Sequence, residues 1–382
     1  MNKILFVSHD ASRTGAPILF LNFIRWFKEN SPIPFEILLK SGGELEPVFA
    51  QLGKCTIYEN EPVHLKNRPG HFKNKWWPIW NKRVQFISRY RRAGIGLIYS
   101  NTITNGEILH LLSGLKCKVI THVHELENYI HSCGKDNLEK VVKYTDHYIA
   151  PSKAVKENLV LNHGIDGDKI DVIYEFLGEG LLGGSKISAS RGNVLARLSI
   201  PVGAFVVGAC GTTDWRKSPD LFVQLAGYVK RRYPEVPIYF LWVGGMITWE
   251  LEYDIKKLGL DNIRFVTHTR EFIDYINCMD VFVLTSRIDP CPLVCLEAAS
   301  LGKAVICFEG AGGMPEFVEE DAGFVAPYLG LEIMAEQVMA LFGDRDLLAR
   351  LGQQGQWKVK KRHDVNIAGA EIVSLINTVV NN

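Results

Sequence analysis

Residues 286–316 read SRIDPCPLVCLEAASLGKAVICFEGAGGMPE. How this stretch begins and ends decides the fold. Ahead of it an apolar run, Val281-Phe282-Val283-Leu284, gives way to Thr285-Ser286-Arg287, which is how a buried parallel strand delivers its C-terminal end to a crevice. Pro290 and Pro292 stop the strand, and residues 293–301 have the leucine and alanine content of a helix. A helix starting near Pro292 leaves Asp289 in the preceding loop and sets Glu297 about a turn and a half inside. Two carboxylates beside the free N–H groups of a helix start suit a ligand with vicinal hydroxyls and phosphates. An acid ahead of a helix is equally an ordinary cap or a first-turn charge. A second strand, residues 304–308, runs into Glu309-Gly310-Ala311-Gly312-Gly313, where glycine is expected to let a backbone approach a ligand closely.

Working outward, 382 residues with 47% hydrophobic and 22% charged side chains suit two globular α/β domains. The net charge of +1 advertises no polyanionic partner. Eight cysteines, at 55, 117, 133, 210, 278, 291, 295 and 307, form no C-x-x-C pair and no metal-ligand spacing, so no metal site is expected and most read as small buried residues. The start, MNKILFVSHD, is a strand rather than a signal peptide, and no apolar run is long enough to span a bilayer. The expectation is a reduced, cytoplasmic setting with membrane contact at the surface only.

The first half repeats the strand, loop, helix theme of doubly wound sheets. Residues 3–8 run into His9-Asp10, and Ser12-Arg13-Thr14-Gly15-Ala16-Pro17 opens a helical pattern to Phe27. The helix start at Gly15 is a candidate phosphate or acceptor site. Further strands are read at 35–40, 96–100 and 118–123, the last ending in His124-Glu125. Between Val63 and Arg92 stand nine Lys or Arg and no Asp or Glu, interleaved with Phe72, Trp76, Trp77, Trp80, Phe86 and Tyr90. Subtracting those nine cations from the net +1 leaves −8 for the rest of the chain. Such a patch suits an anionic membrane interface or a phosphate-bearing acceptor, with Trp76 and Trp77 on the acceptor side. Packed tryptophans under solvated cations are the plainer account. No nucleic-acid-binding motif accompanies the patch.

Residues 178–192 are dense in Gly and Ser and read as a linker between an N-terminal domain, 1–177, and a C-terminal one, 193–361. The second domain opens with a strand at 205–209 and the loop Cys210-Gly211-Thr212-Thr213-Asp214-Trp215-Arg216-Lys217, with a helix from about Pro219. Two cations at a helix start, Arg216 and Lys217, can neutralise a diphosphate. Strands follow at 238–243 and 263–266, and helices at 331–342 and 346–354.

Several spacings agree at once with one known family. Asp289 and Glu297 stand as an acidic pair with seven residues between them, followed by Leu296-Glu297-Ala298, Gly302-Lys303 and Gly312-Gly313-Met314-Pro315-Glu316. With His124 in HVHE, the run from Asp146 to Leu159, and Lys217, the chain resembles the retaining nucleotide-sugar glycosyltransferases of the GT-B fold, whose mark is E-x7-E. There are three departures. The first acid is Asp, Pro292 stands where the family commonly has Gly, and Thr212 replaces the arginine of the phosphate segment.

The resemblance implies two Rossmann-like domains facing a central cleft, with a C-terminal helix, about 362–382, returning to the first domain. It implies a donor site of Gly15, Arg216, Lys217, Asp289, Cys291, Leu293, Val294 and Glu297. Glu297 would bind the ribose hydroxyls and Asp289 the donor sugar. His124 would face that sugar, with Glu125 orienting it or standing on the acceptor side. The co-substrate would be a nucleoside-diphosphate sugar, UDP- or GDP-linked, with no cofactor, and the acceptor a glycan or lipid-linked hydroxyl. Competing readings are another GT-B enzyme, such as a nucleotide-sugar epimerase, and a catalytically silent nucleotide-sugar-binding subunit that recruits a partner enzyme.

Overall fold

The computed structural model describes residues 3–59, 77–179 and 187–381, with residues 77–83 by backbone alone. The chain divides into two compact units. The first comprises residues 1–151, 155–173 and 369–382, the second residues 152–154 and 174–368.

In the first unit seven parallel strands pair in the order β3-β2-β1-β4-β5-β6-β7. They are β1 (Lys3–Ser8), β2 (Phe35–Leu39), β3 (Cys55–Ile57), β4 (Ile95–Asn101), β5 (Lys118–His122), β6 (His147–Ala150) and β7 (Ile170–Val172). The order reverses between β1 and β4, whose register runs from Ile4 opposite Leu97 to Ser8 opposite Asn101. That junction is where doubly wound sheets open a crevice at their carboxyl ends. The helix Gly15–Asn30 covers β1 because Phe20, Phe23, Ile24 and Phe27 recur at helical spacing and are all buried. Phe6 sits beneath them, with the rings of Phe20, Phe23, Phe27, Phe35 and Tyr99 centred 5.1 to 5.9 Å away and tilted edge to face, the arrangement aromatic quadrupoles prefer. Gly369 completes this packing, since a Cβ there would lie 2.4 Å from the Trp26 ring.

In the second unit six parallel strands pair in the order β10-β9-β8-β11-β12-β13. They are β8 (Phe205–Cys210), β9 (Ile238–Val243), β10 (Ile263–Val266), β11 (Val281–Leu284), β12 (Ala304–Phe308) and β13 (Gly323–Ala326). The reversal here falls between β8 and β11. Each face of the sheet carries its own apolar cluster, one centred on Phe222, Phe240 and Trp242, the other on Phe282, Leu296 and Met314. Both architectures are Rossmann-like, as the sequence implied.

Three details differ from the sequence reading. The helix expected at 346–354 runs on as Arg345–Arg362. Its glycines are packing residues rather than breakers: a Cβ at Gly352 would lie 2.0 Å from the Gly302 carbonyl oxygen, and Gly355 packs on Ala299 and Ala322. The expected linker already enters a helix at Arg191, and its residues 180–186 lie outside the described ones. The chain passes to the second unit at Tyr174 and returns at Gly369, where the sequence suggested 177 and about 362. Among the described residues, no helix is long and apolar enough to cross a membrane.

All eight cysteines are free. Burial pushes the thiols of Cys55, Cys117 and Cys278 up to about 11 and that of Cys210 up to about 12. It raises those of Cys133, Cys291, Cys295 and Cys307 as well.

Candidate functional site

The carboxyl ends of β8 and β11, neighbours at the switch point of the second sheet, carry the charged residues picked out above. After β8 the chain turns through residues 211–218 into the helix Pro219–Arg232, with proline in its first turn. Asp214 shapes this turn. Its Oδ1 accepts the Lys217 N–H at 2.9 Å and its Oδ2 accepts the Thr212 hydroxyl at 2.5 Å. Burial alone would raise this carboxyl, but those hydrogen bonds and the nearby Arg216 and Lys217 hold it below the usual range. Ser218 ends the turn in the left-handed region, φ 59° and ψ 56°, a conformation that favours glycine. Its hydroxyl donates to the Trp215 carbonyl at 2.9 Å.

After β11, Asp289 projects into the same place. Its Oδ2 lies 2.5 Å from Lys217 Nζ, 3.2 Å from Arg216 Nη1 and 3.2 Å from Ser286 Oγ. The Asp289 side chain is 6% exposed, those of Lys217 and Arg216 12% and 17%. One carboxylate thus gathers both cations, and removing one member of such a buried cluster leaves the others uncompensated. Two further contacts fix the register of the two loops: the Arg287 N–H donates to the Arg216 carbonyl at 2.9 Å, and the Arg287 guanidinium grips Asp220 with two bonds of 2.9 and 2.7 Å.

Two of the glycines in 310–313, Gly312 and Gly313, meet the chain's own backbone. Gly312 adopts φ 140°, and a Cβ on it would stand 1.7 Å from the Asp289 carbonyl oxygen. The Asp289 N–H donates to the Ala311 carbonyl at 2.6 Å. A Cβ on Gly313 would meet the Pro290 carbonyl at 2.4 Å and Ser152 at 2.5 Å. The backbone they admit is therefore the chain's own, the loop that carries Asp289. Ser152 donates to the Pro290 carbonyl at 3.1 Å, while Glu316 accepts the N–H groups of Lys153 and Ala154 at 2.9 and 2.8 Å.

Glu297 is the fifth residue of the helix Leu293–Ser300 and is buried. Its charge adds to the rise of the Cys210 thiol at the end of β8, which places it near that strand end. Leu293 and Val294, in the first turn, are half-buried. The Cys291 side chain lies in the apolar cluster under the sheet together with that of Cys295.

The first unit presents a polar group at the ends of β1, β4 and β5. His124 Nε2 lies 2.8 Å from Asn101 Oδ1, and its ring centre is 4.1 Å from that of His122. His122 is fully buried, bonded through Nδ1 to the Tyr99 hydroxyl at 2.8 Å, and burial holds its pKa well below the ordinary value. Burial likewise lowers His9, against the pull of Asp10 and Glu125. Glu125, read from sequence as orienting His124 or standing on the acceptor side, turns inward. Its carboxylate accepts the N–H of His124 at 2.8 Å, the N–H of Ile103 at 3.2 Å and the hydroxyl of Thr102. It therefore holds the main chain at His124 and is spent on protein donors. Gly15 stands at the N-terminus of its helix with open space where a Cβ would be. Trp76 lies outside the described residues, as does the side chain of Trp77. Ser286, Asn101 and Thr102, each a polar residue at or just past a strand end, were not singled out as site residues from the sequence.

Two Rossmann-like units with this site define the class, and the chain belongs to the glycosyltransferases of the GT-B fold. Residues 41–177 match the family described as Glycosyltransferase Family 4, and residues 204–344 that described as Glycosyl transferases group 1. Among particular proteins, the chain is 26% identical over 266 residues to a D-inositol 3-phosphate glycosyltransferase of Arthrobacter, covering 67% of this chain and 59% of that one. It is 26% identical over 117 residues to the capsular polysaccharide biosynthesis glycosyltransferase CapM of Staphylococcus aureus, 31% of each. The chain thus spans less than two thirds of either relative. In fold it is similar to Anabaena HepE, solved in complex with UDP-glucose, with a TM-score of 0.80 at 17% identity, covering 99% of this chain and 100% of that one. WaaG, a glycosyltransferase involved in lipopolysaccharide biosynthesis, gives a TM-score of 0.70 at 10% identity over 98% of this chain and 99% of that one.

Proposed function

We propose that the chain transfers a hexose from a nucleoside-diphosphate sugar to an acceptor hydroxyl, with retention and without a metal ion, in the synthesis of a surface polysaccharide or glycolipid. The observation that carries this reading is the Arg216, Lys217 and Asp289 cluster at the β8/β11 switch point. As the bond from the anomeric carbon to the diphosphate oxygen breaks, negative charge grows on the leaving group, and fixed cations at that point stabilise it without reorganising. The acceptor oxygen forms the new bond on the same face, and its proton passes to the departing phosphate oxygen. Glu297 holds the ribose hydroxyls and His124 orients the sugar. The diphosphate charge falls to Arg216 and Lys217. CapM's role in capsule synthesis and the WaaG likeness point to a glycan or lipid-linked acceptor. The donor in the HepE structure makes UDP the first base to try, ahead of GDP.

Thermal unfolding with UDP, GDP, ADP, TDP and CMP tests the site. A ligand at 100 times its dissociation constant stabilises by about 2.7 kcal/mol, and one diphosphate alone should give the shift. Release of that diphosphate from its sugar conjugate should then be measurable and be lost in Glu297→Ala with the fold intact. Binding without release, under every acceptor tried, would favour a silent binding subunit.

A further inference from the structure

The hydrogen bonds around Asn101 fix more than its own position. Asn101 closes β4 and is buried. Its side-chain amide offers one oxygen, which only accepts, and one NH2, which only donates. Nδ2 lies 3.1 Å from the carbonyl oxygen of Ala16, in the first turn of the helix Gly15–Asn30, and only the NH2 can serve a carbonyl. The atom turned toward His124, 2.8 Å from Nε2, is therefore Oδ1. An amide oxygen can meet that nitrogen only if the nitrogen carries hydrogen. The geometry points to Asn101 as a positioning residue that holds the imidazole of His124 in its Nε2–H tautomer. In the neutral ring Nδ1 is then the acceptor nitrogen, so any hydrogen bond made by Nδ1 is one that it accepts. A hydroxyl that meets Nδ1 then donates its hydrogen bond to the ring and keeps its proton.

The surroundings are built to keep this arrangement. Glu125 holds the main-chain N–H of His124 and, with the same carboxylate, the Ile103 N–H and the Thr102 hydroxyl. Thr102 sits at φ 117° and ψ 147°, a region foreign to β-branched residues. It is kept there by that hydroxyl contact and by its own N–H on the His122 carbonyl at 2.8 Å. Strain retained beside a strand end marks a place where position is over-determined. Asn101 ties this imidazole to the first helical turn behind Gly15. The sequence shows only an Asn at the end of a strand, 23 residues from His124.

What the tautomer does for the reaction rests on the reading of His124 given above, whereas the tautomer itself does not. The test is long-range 15N NMR of the full chain with labelled histidine, on the wild type, Asn101→Leu and Asn101→Asp, together with thermal unfolding and donor turnover. The wild type should show His124 wholly as Nε2–H. Asn101→Asp keeps an acceptor facing Nε2 and should retain that pattern while losing the Ala16 contact. Asn101→Leu should spread the ring over both tautomers and lower kcat by about tenfold to a hundredfold, with the donor KM nearly unchanged. An Nδ1–H ring in the wild type overturns the proposal. So does an unmoved tautomer in Asn101→Leu, or a ring that leaves Nε2–H in Asn101→Asp, the variant that keeps the assignment testable should Asn101→Leu fail to fold. If no donor is turned over by any form, the glycosyl-transfer reading fails, and the NMR pattern still decides the role of Asn101.

Discussion

Glu125 and Lys217 illustrate how differently two charged residues at strand ends behave. Glu125 satisfies three inward donors, so Glu125→Gln, which sets an amide NH2 against N–H groups, should destabilise the protein by about 1–3 kcal/mol. Chemical denaturation would show it, and an unchanged midpoint would restore an outward-facing role. Lys217 shares the Asp289 carboxylate with Arg216. Lys217→Ala should lower kcat by about a hundredfold to a thousandfold, the loss typical of removing one donor aimed at developing charge. A steady-state comparison with Lys217→Arg separates charge from shape, since the fork of Arg is not a substitute for a point charge. At this scale the sequence was half legible. Asp289, Arg216 and Lys217 could be picked out because charges next to a strand end stand out. That they share one oxygen follows from the Arg287 to Arg216 backbone bond, which joins loops 71 residues apart and leaves no local mark.

At the scale of elements, the loop after β12 is shaped by contact with the loop after β11. Gly312→Ala puts a Cβ 1.7 Å from the Asp289 carbonyl, closer than any side-chain relaxation can relieve. It should displace the 289–290 loop and abolish donor-dependent protection while leaving most of the second sheet folded. Hydrogen exchange on the segments around 289 and 312 would read this directly. Gly310→Ala, with open space at its Cβ, should cost only the strain of its φ of 67°, about 1–2 kcal/mol. Strands such as β9, β11 and β12 were legible to the residue, since buried parallel strands are unbroken apolar runs. The short β3 and the helices Gly106–Leu112 and Met314–Val318 were not. Three residues of edge strand, or five residues of helix after a glycine run, are too short for a periodicity to show. The helix Arg345–Arg362 runs past the expected 354, and Gly352 lets it lie against Gly302.

At the scale of the whole molecule, His363 secures both ends of the second unit. Its Nδ1 donates to the Glu175 carbonyl at 2.6 Å, and the main chain joins Leu177 to His363 and Val365. Burial lowers its pKa to about 4. Above pH 6.5 it is neutral folded or unfolded and adds no pH dependence. As pH falls from 6.5 to about 4, the unfolded chain takes up the proton and the folded one does not. Stability should drop by about 3 kcal/mol across that window from this group. The buried His122, also held low, acts with the same sign. A His363→Leu chain should therefore show a shallower fall of unfolding midpoint between pH 6.5 and 4 than the wild type, and parallel curves would refute the assignment. The two-unit plan itself was legible, because alternating strands and helices on either side of a Gly- and Ser-rich stretch admit few other folds.

The eight raised thiols have a practical side. At pH 7 a thiol with a pKa of about 11 is ionised in roughly one molecule in ten thousand, and only the thiolate attacks an alkylating reagent. Native cysteines that would ordinarily be deleted before attaching a dye can thus stay in place. A new one at an open position, such as Val202→Cys at a site 72% exposed, should outpace Cys55, Cys117, Cys210 and Cys278 in maleimide labelling. Maleimide labelling of the unmodified chain should accordingly be slow at Cys55, Cys117, Cys210 and Cys278.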